Sequence, residues 1–258
     1  MKKLRETVFS KTVYRGFISI ALLLALWEAG RRLQVPLLGT IPAPSEVLGL
    51  LQTMILKGQF WENWVSSFER VLFGFVAAQI VGIPLGLAMA ANRVTHDLTF
   101  PMLEIMRPVP PLAWVPTSII FWPTTELSIA FVIFLGAFFT VVINVLDGAK
   151  SVDVRYVRAA LSLGSQRRDI FFRIVLPATL PSIFTGMAVG MGITWEVVVA
   201  AEMIAGKSGL GYLTWSSYVG GNYPQIVVGM ISIGAAGYLS SSLIRFAGKR
   251  AAPWQRLF

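Results

Sequence analysis

The sequence predicts an all-α polytopic membrane protein, a bundle of about six transmembrane helices with both termini in the cytoplasm. Three observations carry this prediction. Charged residues make up only 14% of the 258-residue chain and hydrophobic residues 55%, with a mean hydropathy of +0.68, whereas a water-soluble surface takes about a quarter charged residues. The apolar residues gather into runs near the ~20-residue length that crosses a hydrocarbon core. The cations sit in short clusters between those runs, a topology signal rather than a nucleic-acid surface.

The first span runs from about Thr12 to Ala29. Lys2, Lys3, Arg5, Lys11 and Arg15 precede its apolar run as in a signal peptide, but no small-x-small cleavage site follows and Arg31-Arg32 come directly after, so it reads as a retained helix. Between Val35 and Trp64, Pro44-Ser45-Glu46 opens a short amphipathic helix with Ser45 as its cap. The second span, Ser67 to Ala91, opens with Glu69 and Arg70. The third is broken: Leu98 to Met106 and Leu112 to Trp122 flank Arg107-Pro108-Val109-Pro110-Pro111, prolines too dense for a regular helix. The fourth covers Leu127 to Leu146, the fifth Leu176 to Ala205 and the sixth Pro224 to Ala247. Gly206 to Tyr223 is polar, glycine-rich and aromatic and is expected at the far membrane surface. No repeat or separate soluble stretch divides residues 1–258, which read as one transmembrane domain.

Orientation follows from the cations. With the N-terminus inside, the cytoplasmic side holds Lys2, Lys3, Arg5, Lys11, Arg15, Arg93, Lys150, Arg155, Arg158, Arg167, Arg168, Arg173, Arg245, Lys249, Arg250 and Arg256, against Arg31, Arg32, Lys57 and Lys207 outside. That asymmetry places both termini inside.

Several chemistries are excluded. The chain has no cysteine, so disulfides, thiolate metal sites and thiol nucleophiles are absent. The single histidine, His96 beside Asp97, makes no metal site and reads as a loop residue. Gly206-Lys207-Ser208 resembles the end of a phosphate loop, but Ala201 stands where the leading glycine belongs and no strand precedes it. No ATP, metal or other cofactor is expected on this chain.

The inside loop from Asp147 to Pro177 is too long for a turn. Val157, Ala160, Leu161 and Leu163, with Arg155 and Arg158, suit a short helix on the membrane surface, and Gly164 suits its left-handed stop. Arg168 to Leu176 continues helically into Pro177, a first-turn proline of the fifth span. Here Arg158-Ala159-Ala160-x-x-x-Gly164, nine residues, then Ile174-x-Leu176-Pro177 resembles the EAA loop of ABC importer permeases. Arg158 stands where that motif has glutamate. The resemblance implies a coupling helix that docks on a cytoplasmic ATPase subunit through Arg155, Arg158, Ala159, Ala160, Leu161, Leu163, Gly164 and Ser165.

Further matches are Ile41-Pro42-x-Pro44-Ser45, Arg107-Pro108-x-Pro110-Pro111-x-Ala113-Trp114-x-Pro116, Ala200-Ala201-Glu202 and Gly209-Leu210-Gly211. They resemble the branch that imports nitrate, taurine and other sulfonates, and bicarbonate. Phe121-Trp122-Pro123-Thr124 departs from it, since those relatives carry glycine after the aromatic residue. The resemblance implies a non-catalytic permease subunit in a bacterial inner membrane. It would pair with a second permease copy, two ATPase subunits that carry ATP and Mg, and a periplasmic or lipoprotein binding protein. A stand-alone channel or secondary carrier is the alternative, but it predicts inverted repeats or a charged relay, and neither is visible.

Ionisable groups within spans are costly and so are candidate pathway residues. Arg107 sits at the backbone break, where it either faces an anion pathway or pairs with Glu104 one turn back. Glu196 beside Trp195, and Glu202 further along the fifth span, either line the pathway or pair with cations and fix packing. Gly82, Gly86, Gly186, Gly190 and Gly192 are expected to permit close helix contact.

Overall fold

The computed structural model describes residues 2–36 and 40–254, with the backbone alone over residues 2–13. Among the described residues every regular element is a helix: α1 Lys2–Arg32, α2 Pro44–Ile55, α3 Gly58–Ala91, α4 Arg93–Met106, a 3-10 turn Pro111–Trp114, α5 Val115–Phe121, α6 Thr125–Lys150, α7 Val154–Ser162, α8 Arg167–Ile170, a π-helical turn Phe171–Val175, α9 Leu176–Ala205, α10 Leu210–Val219 and α11 Tyr223–Ala251. Four helical stretches are long and apolar enough to cross a membrane: Gly58–Ala91, Thr125–Lys150, Arg167–Ala205 and Tyr223–Ala251. The expected first span lies within the longer α1, and the broken third comprises α4 and the 3-10 turn with α5; neither belongs to that set of four.

The chain packs as two compact units. One comprises the described residues up to Trp61 with Thr214–Met230, and the other comprises Glu62–Leu213 with Ile231 onward. In the first, Glu28 near the end of α1 accepts hydrogen bonds from Ser45 N at 3.1 Å and Ser45 Oγ at 2.9 Å, and pairs with Arg32 at 2.8 Å. Ser45 is therefore not the cap of α2. Ala43 occupies the cap position with Pro44 just inside, and Glu46 accepts from Ala43 N at 3.2 Å. Proline is favoured at that first-turn position because its missing N–H has no helical partner there. The polar, glycine-rich stretch between residues 206 and 223 contains α10, which stops at Gly221 (φ +70°).

The second unit is built around α6. Its apolar stretch is 67% buried, against 33% or less in the other three spanning candidates, so its neighbours enclose it while theirs leave a face open. Leu135, Phe139, Val142 and Leu146 of α6 form one core with Met89 of α3 and Leu103 of α4. Val141 and Val145 form a second with Ile183 of α9. Helix approach there depends on small residues: a Cβ at Gly86 would stand 2.8 Å from Val145 Cβ, and one at Gly186 would stand 2.7 Å from Asn144 Cβ. Gly192 differs from expectation, since no atom lies within 4 Å of its Cβ position.

Helix α3 begins well before the expected Ser67. The reason is a buried stripe at helical spacing, Asn63, Ser67, Arg70, Val71, Phe75 and Ala78, whose first three members are polar and therefore invisible to a hydropathy search. Thr124 Oγ1 caps α6 by accepting from Leu127 N at 3.3 Å. The proline-rich break falls where expected: Arg107 N still reaches Leu103 O at 2.8 Å, and the next turn closes from Ala113 N to Pro110 O at 2.9 Å. Helix α4 itself starts earlier, at Arg93, because Asn92 Oδ1 accepts from Val94 N at 2.9 Å and caps it.

Candidate functional site

Two constructions stand out at the helix ends of the second unit. The first is α7 with its flanking turns. Asp153, at the N-cap, accepts from Arg155 N at 2.9 Å and from Arg155 Nε at 2.7 Å. The Arg155 guanidinium, with the backbone N–H second, holds the Asp153 carboxyl below the usual carboxylate range. The same bond raises Arg155. At the other end Ser165 N donates to Ala160 O and Gly164 N to Leu161 O, both at 3.0 Å. This pair of bonds needs a left-handed residue at position 164, and Gly164 supplies it with φ +84°. Residue types thus fix both ends of a nine-residue helix that is too short to be stable by propensity alone.

No residue of α7 is buried. Tyr156 (66% exposed), Leu161 (49%) and Leu163 (86%) present large apolar surface beyond the ends of the spans. Ala159 and Arg158 are exposed and Ala160 is half-buried, so the coupling residues named from sequence share one accessible helix and its stop. The link to α9 is helical throughout, with one irregular turn. Pro177 has no N–H for the preceding turn, and Leu176 N donates five residues back to Phe171 O, which makes the π-helical turn.

The second construction joins α3, α6, α9 and the segment before α10. Arg70 donates through Nε to Glu126 Oε2 at 2.6 Å and through Nη2 to Glu126 Oε1 at 2.7 Å. Its Nη1 reaches Glu202 Oε1 at 2.8 Å and Ser208 O at 2.7 Å, and Nη2 also reaches Ser208 Oγ at 3.1 Å. Glu202, fully buried, further accepts from Ser67 Oγ at 2.8 and 2.9 Å and from Gly211 N at 2.9 Å. Gly209 N donates to Asn63 Oδ1, and Leu210 N donates to Ser67 Oγ, both at 2.8 Å. A buried carboxylate is tolerated only with such partners. Gly209 is dictated by this packing: its φ is +113°, and a Cβ would lie 2.3 Å from the Glu202 carboxylate. Ala200-Ala201-Glu202 and Gly209-Leu210-Gly211, separate in the sequence, are therefore two halves of one polar knot. A cleft of about 450 Å³ opens beside it, lined by Ser66, Glu69, Arg70, Phe73 and Glu126 among others.

The pathway candidates do not converge. Arg107 pairs with Glu104 at 3.5 Å, both about half exposed. Glu196 is exposed, whereas Trp195 is buried and donates from Nε1 to Ser240 Oγ at 2.9 Å. Glu202 is the anchor of the knot. Sequence reading missed Arg70, Glu126, Ser67 and Asn63, although two uncompensated charges near span ends, Arg70 and Glu126, were a usable signal.

Residues 82–256 match the family model described as binding-protein-dependent transport system inner membrane component. The chain belongs to that family. Among permease relatives, it is 33% identical to the nitrate import permease protein NrtB of Synechocystis sp. over 259 residues, covering 95% of this chain and 92% of that one. It is 32% identical to the taurine transport system permease protein TauC of Escherichia coli over 250 residues, covering 95% and 91%. The fold is similar to that of a chain of the MetNI methionine ABC transporter, with a TM-score of 0.58 at 20% identity over 79% of this chain and 96% of that one. The protein is thus an ABC importer permease, a membrane component with several apolar helices.

Proposed function

We propose that this permease carries a small anion of the nitrate, sulfonate or bicarbonate class across a bacterial inner membrane. A binding protein delivers the anion, a separate ATPase subunit hydrolyses ATP, and the chain itself holds no nucleotide. Two copies enclose the pathway, each with six spans and both termini inside. The spans comprise α1, α3, the broken pair α4 and α5, α6, α9 and α11. Helix α7 docks on the ATPase and transmits its movement through the π-helical turn to α9. Arg107, exposed at the backbone break, and Glu196 face the pathway, while Trp195 and Glu202 serve it by positioning α9.

The observation that carries this reading is α7 itself, a helix capped at both ends with no buried residue and with Val154, Tyr156 and Leu161 exposed. Such surface outside the apolar spans marks an interaction site. The test is uptake into proteoliposomes holding the permease, its ATPase and a binding protein, with nitrate and taurine as solutes. ATP-dependent uptake should occur and should be lost in Gly164→Val, which inserts normally but cannot close the α7 stop. Uptake that proceeds without the ATPase, or full uptake by Gly164→Val, refutes the reading. Ser165→Cys, in a chain with no native cysteine, should react with an impermeant maleimide only from the cytoplasmic side.

A further inference from the structure

We propose that the segment after α11 is part of the ATPase-docking surface. Trp254 and α7 form the walls of a socket that receives an apolar side chain from an acidic stretch of the ATPase. The proposal rests on α7 being the coupling helix and adds to it a second wall and a direction of fit, with the partner entering the permease.

Helix α11 ends at Ala251, and the next residue, Ala252, is only 1% exposed. That burial pins the following residues in place. Trp254 lines a cleft of about 500 Å³ together with Tyr156, Ala159 and Ala160 of α7 and Leu163 at its stop. The two alanines contribute only methyl groups, so the space between the helix and the indole is left open. Trp254 remains 46% exposed, Tyr156 66% and Leu163 86%. A half-exposed tryptophan in a preformed cleft is the side chain most often found to dominate a protein interface.

Charge indicates the occupant. Arg173 stands in the lining and no carboxylate does. Helix α7 carries Arg158 as well as Arg155, which Asp153 pairs, and α11 ends in Lys249 and Arg250. Asp169 lines the adjoining cleft beside Arg173. The socket is therefore an apolar floor whose surround carries more cations than carboxylates, which an acidic protein surface with one projecting apolar residue complements. The neighbouring cations also place the socket in water beyond the spans rather than among lipid tails.

The test uses inside-out membrane vesicles holding the permease with and without its ATPase. Trp254→Cys introduces a lone thiol into a cysteine-free chain. Bound ATPase should slow its labelling by maleimide at least tenfold, and stripping the ATPase should restore fast labelling. Trp254→Ala should weaken ATPase retention roughly tenfold or more, the scale of an interface tryptophan, while Trp254→Phe should keep most of it. Gly164→Val, at the α7 stop and outside the cleft lining, reports on the coupling helix independently. If Gly164→Val releases the ATPase while Trp254→Ala retains it and Trp254→Cys labels equally fast in both vesicles, the socket is refuted and the coupling helix stands. If Gly164→Val also retains the ATPase, the coupling reading falls and the socket with it. Slow labelling in stripped vesicles would mean that lipid headgroups cover Trp254, and that also overturns the proposal.

Discussion

Arg70→Ala should be among the most damaging single changes outside the apolar core, and its cost can be worked from the knot. The guanidinium makes contacts of 2.6 to 3.1 Å with Glu126, Glu202 and Ser208. These contacts are unequal. Glu126 is 64% exposed and can turn to water when its partner is lost, so that half of the network is worth about 1 kcal/mol or less. Glu202 is 0% exposed and cannot. Stripping a buried carboxylate of its paired cation costs about 3–5 kcal/mol, even though Ser67 Oγ and Gly211 N remain as donors. At roughly 2–4 °C per kcal/mol for a domain of this size, Arg70→Ala should lower the melting temperature of the purified permease in detergent by about 6–20 °C. Glu126→Gln should lower it by no more than about 4 °C. Arg70→Lys should fall between them, since an ammonium cannot reproduce the forked contact. Arg70→Met combined with Glu202→Met removes both buried charges and should recover most of the loss. Equal destabilisation by Glu126→Gln and Arg70→Ala would refute the reasoning, because it would place the energy in the exposed pair.

The remaining predictions concern the loop and the backbone break. The Asp153 carboxyl is held below its ordinary value by Arg155, so the cap is complete above the ordinary carboxylate range and is lost as pH falls through the lowered value. Hydrogen exchange at the Arg155 amide, corrected for intrinsic rate, should stay slow from neutral pH to about 4 and quicken below it. In Asp153→Asn, whose amide oxygen still caps, that acid limb should vanish. Arg107→Ala should reduce uptake more than assembly if the guanidinium meets the anion. Normal transport by the double variant Arg107→Ala with Glu104→Ala would instead reduce the 3.5 Å contact between them to a local ion pair.

The elements that sequence reading located well are those whose signal is local. Helix α9 runs from Leu176 to Ala205, the bounds expected of the fifth span, with Pro177 in its first turn and Gly206 just past its end. The stop at Gly164 was readable because a left-handed glycine follows an amphipathic turn. The break at Arg107 was readable because Pro108, Pro110 and Pro111 together remove too many N–H donors for a regular helix, whereas single prolines such as Pro84 and Pro181 are carried inside helices. What stayed hidden depends on partners far along the chain. Arg70 meets Glu126 and Glu202 across 56 and 132 residues, and no period or spacing within one helix announces such a pair. The early start of α3 was hidden for the same reason: Asn63 and Ser67 are buried by what they bind, not by being apolar. The π-helical turn was not foreseen because Pro177 fixes where a bond is missing but not how the chain closes around it.

Anyone recombining this permease with a relative meets a constraint in the Glu202–Gly209 contact. No crossover between residues 203 and 208 is neutral unless both parents put glycine at 209 and a carboxylate at 202. A side chain from one parent at 209 would occupy the space of the other parent's carboxylate, 2.3 Å away. An uncharged residue at 202 would leave Arg70 with half its counter-charge. Residues 200–211, together with Asn63, Ser67 and Arg70, therefore have to be exchanged as a single cassette.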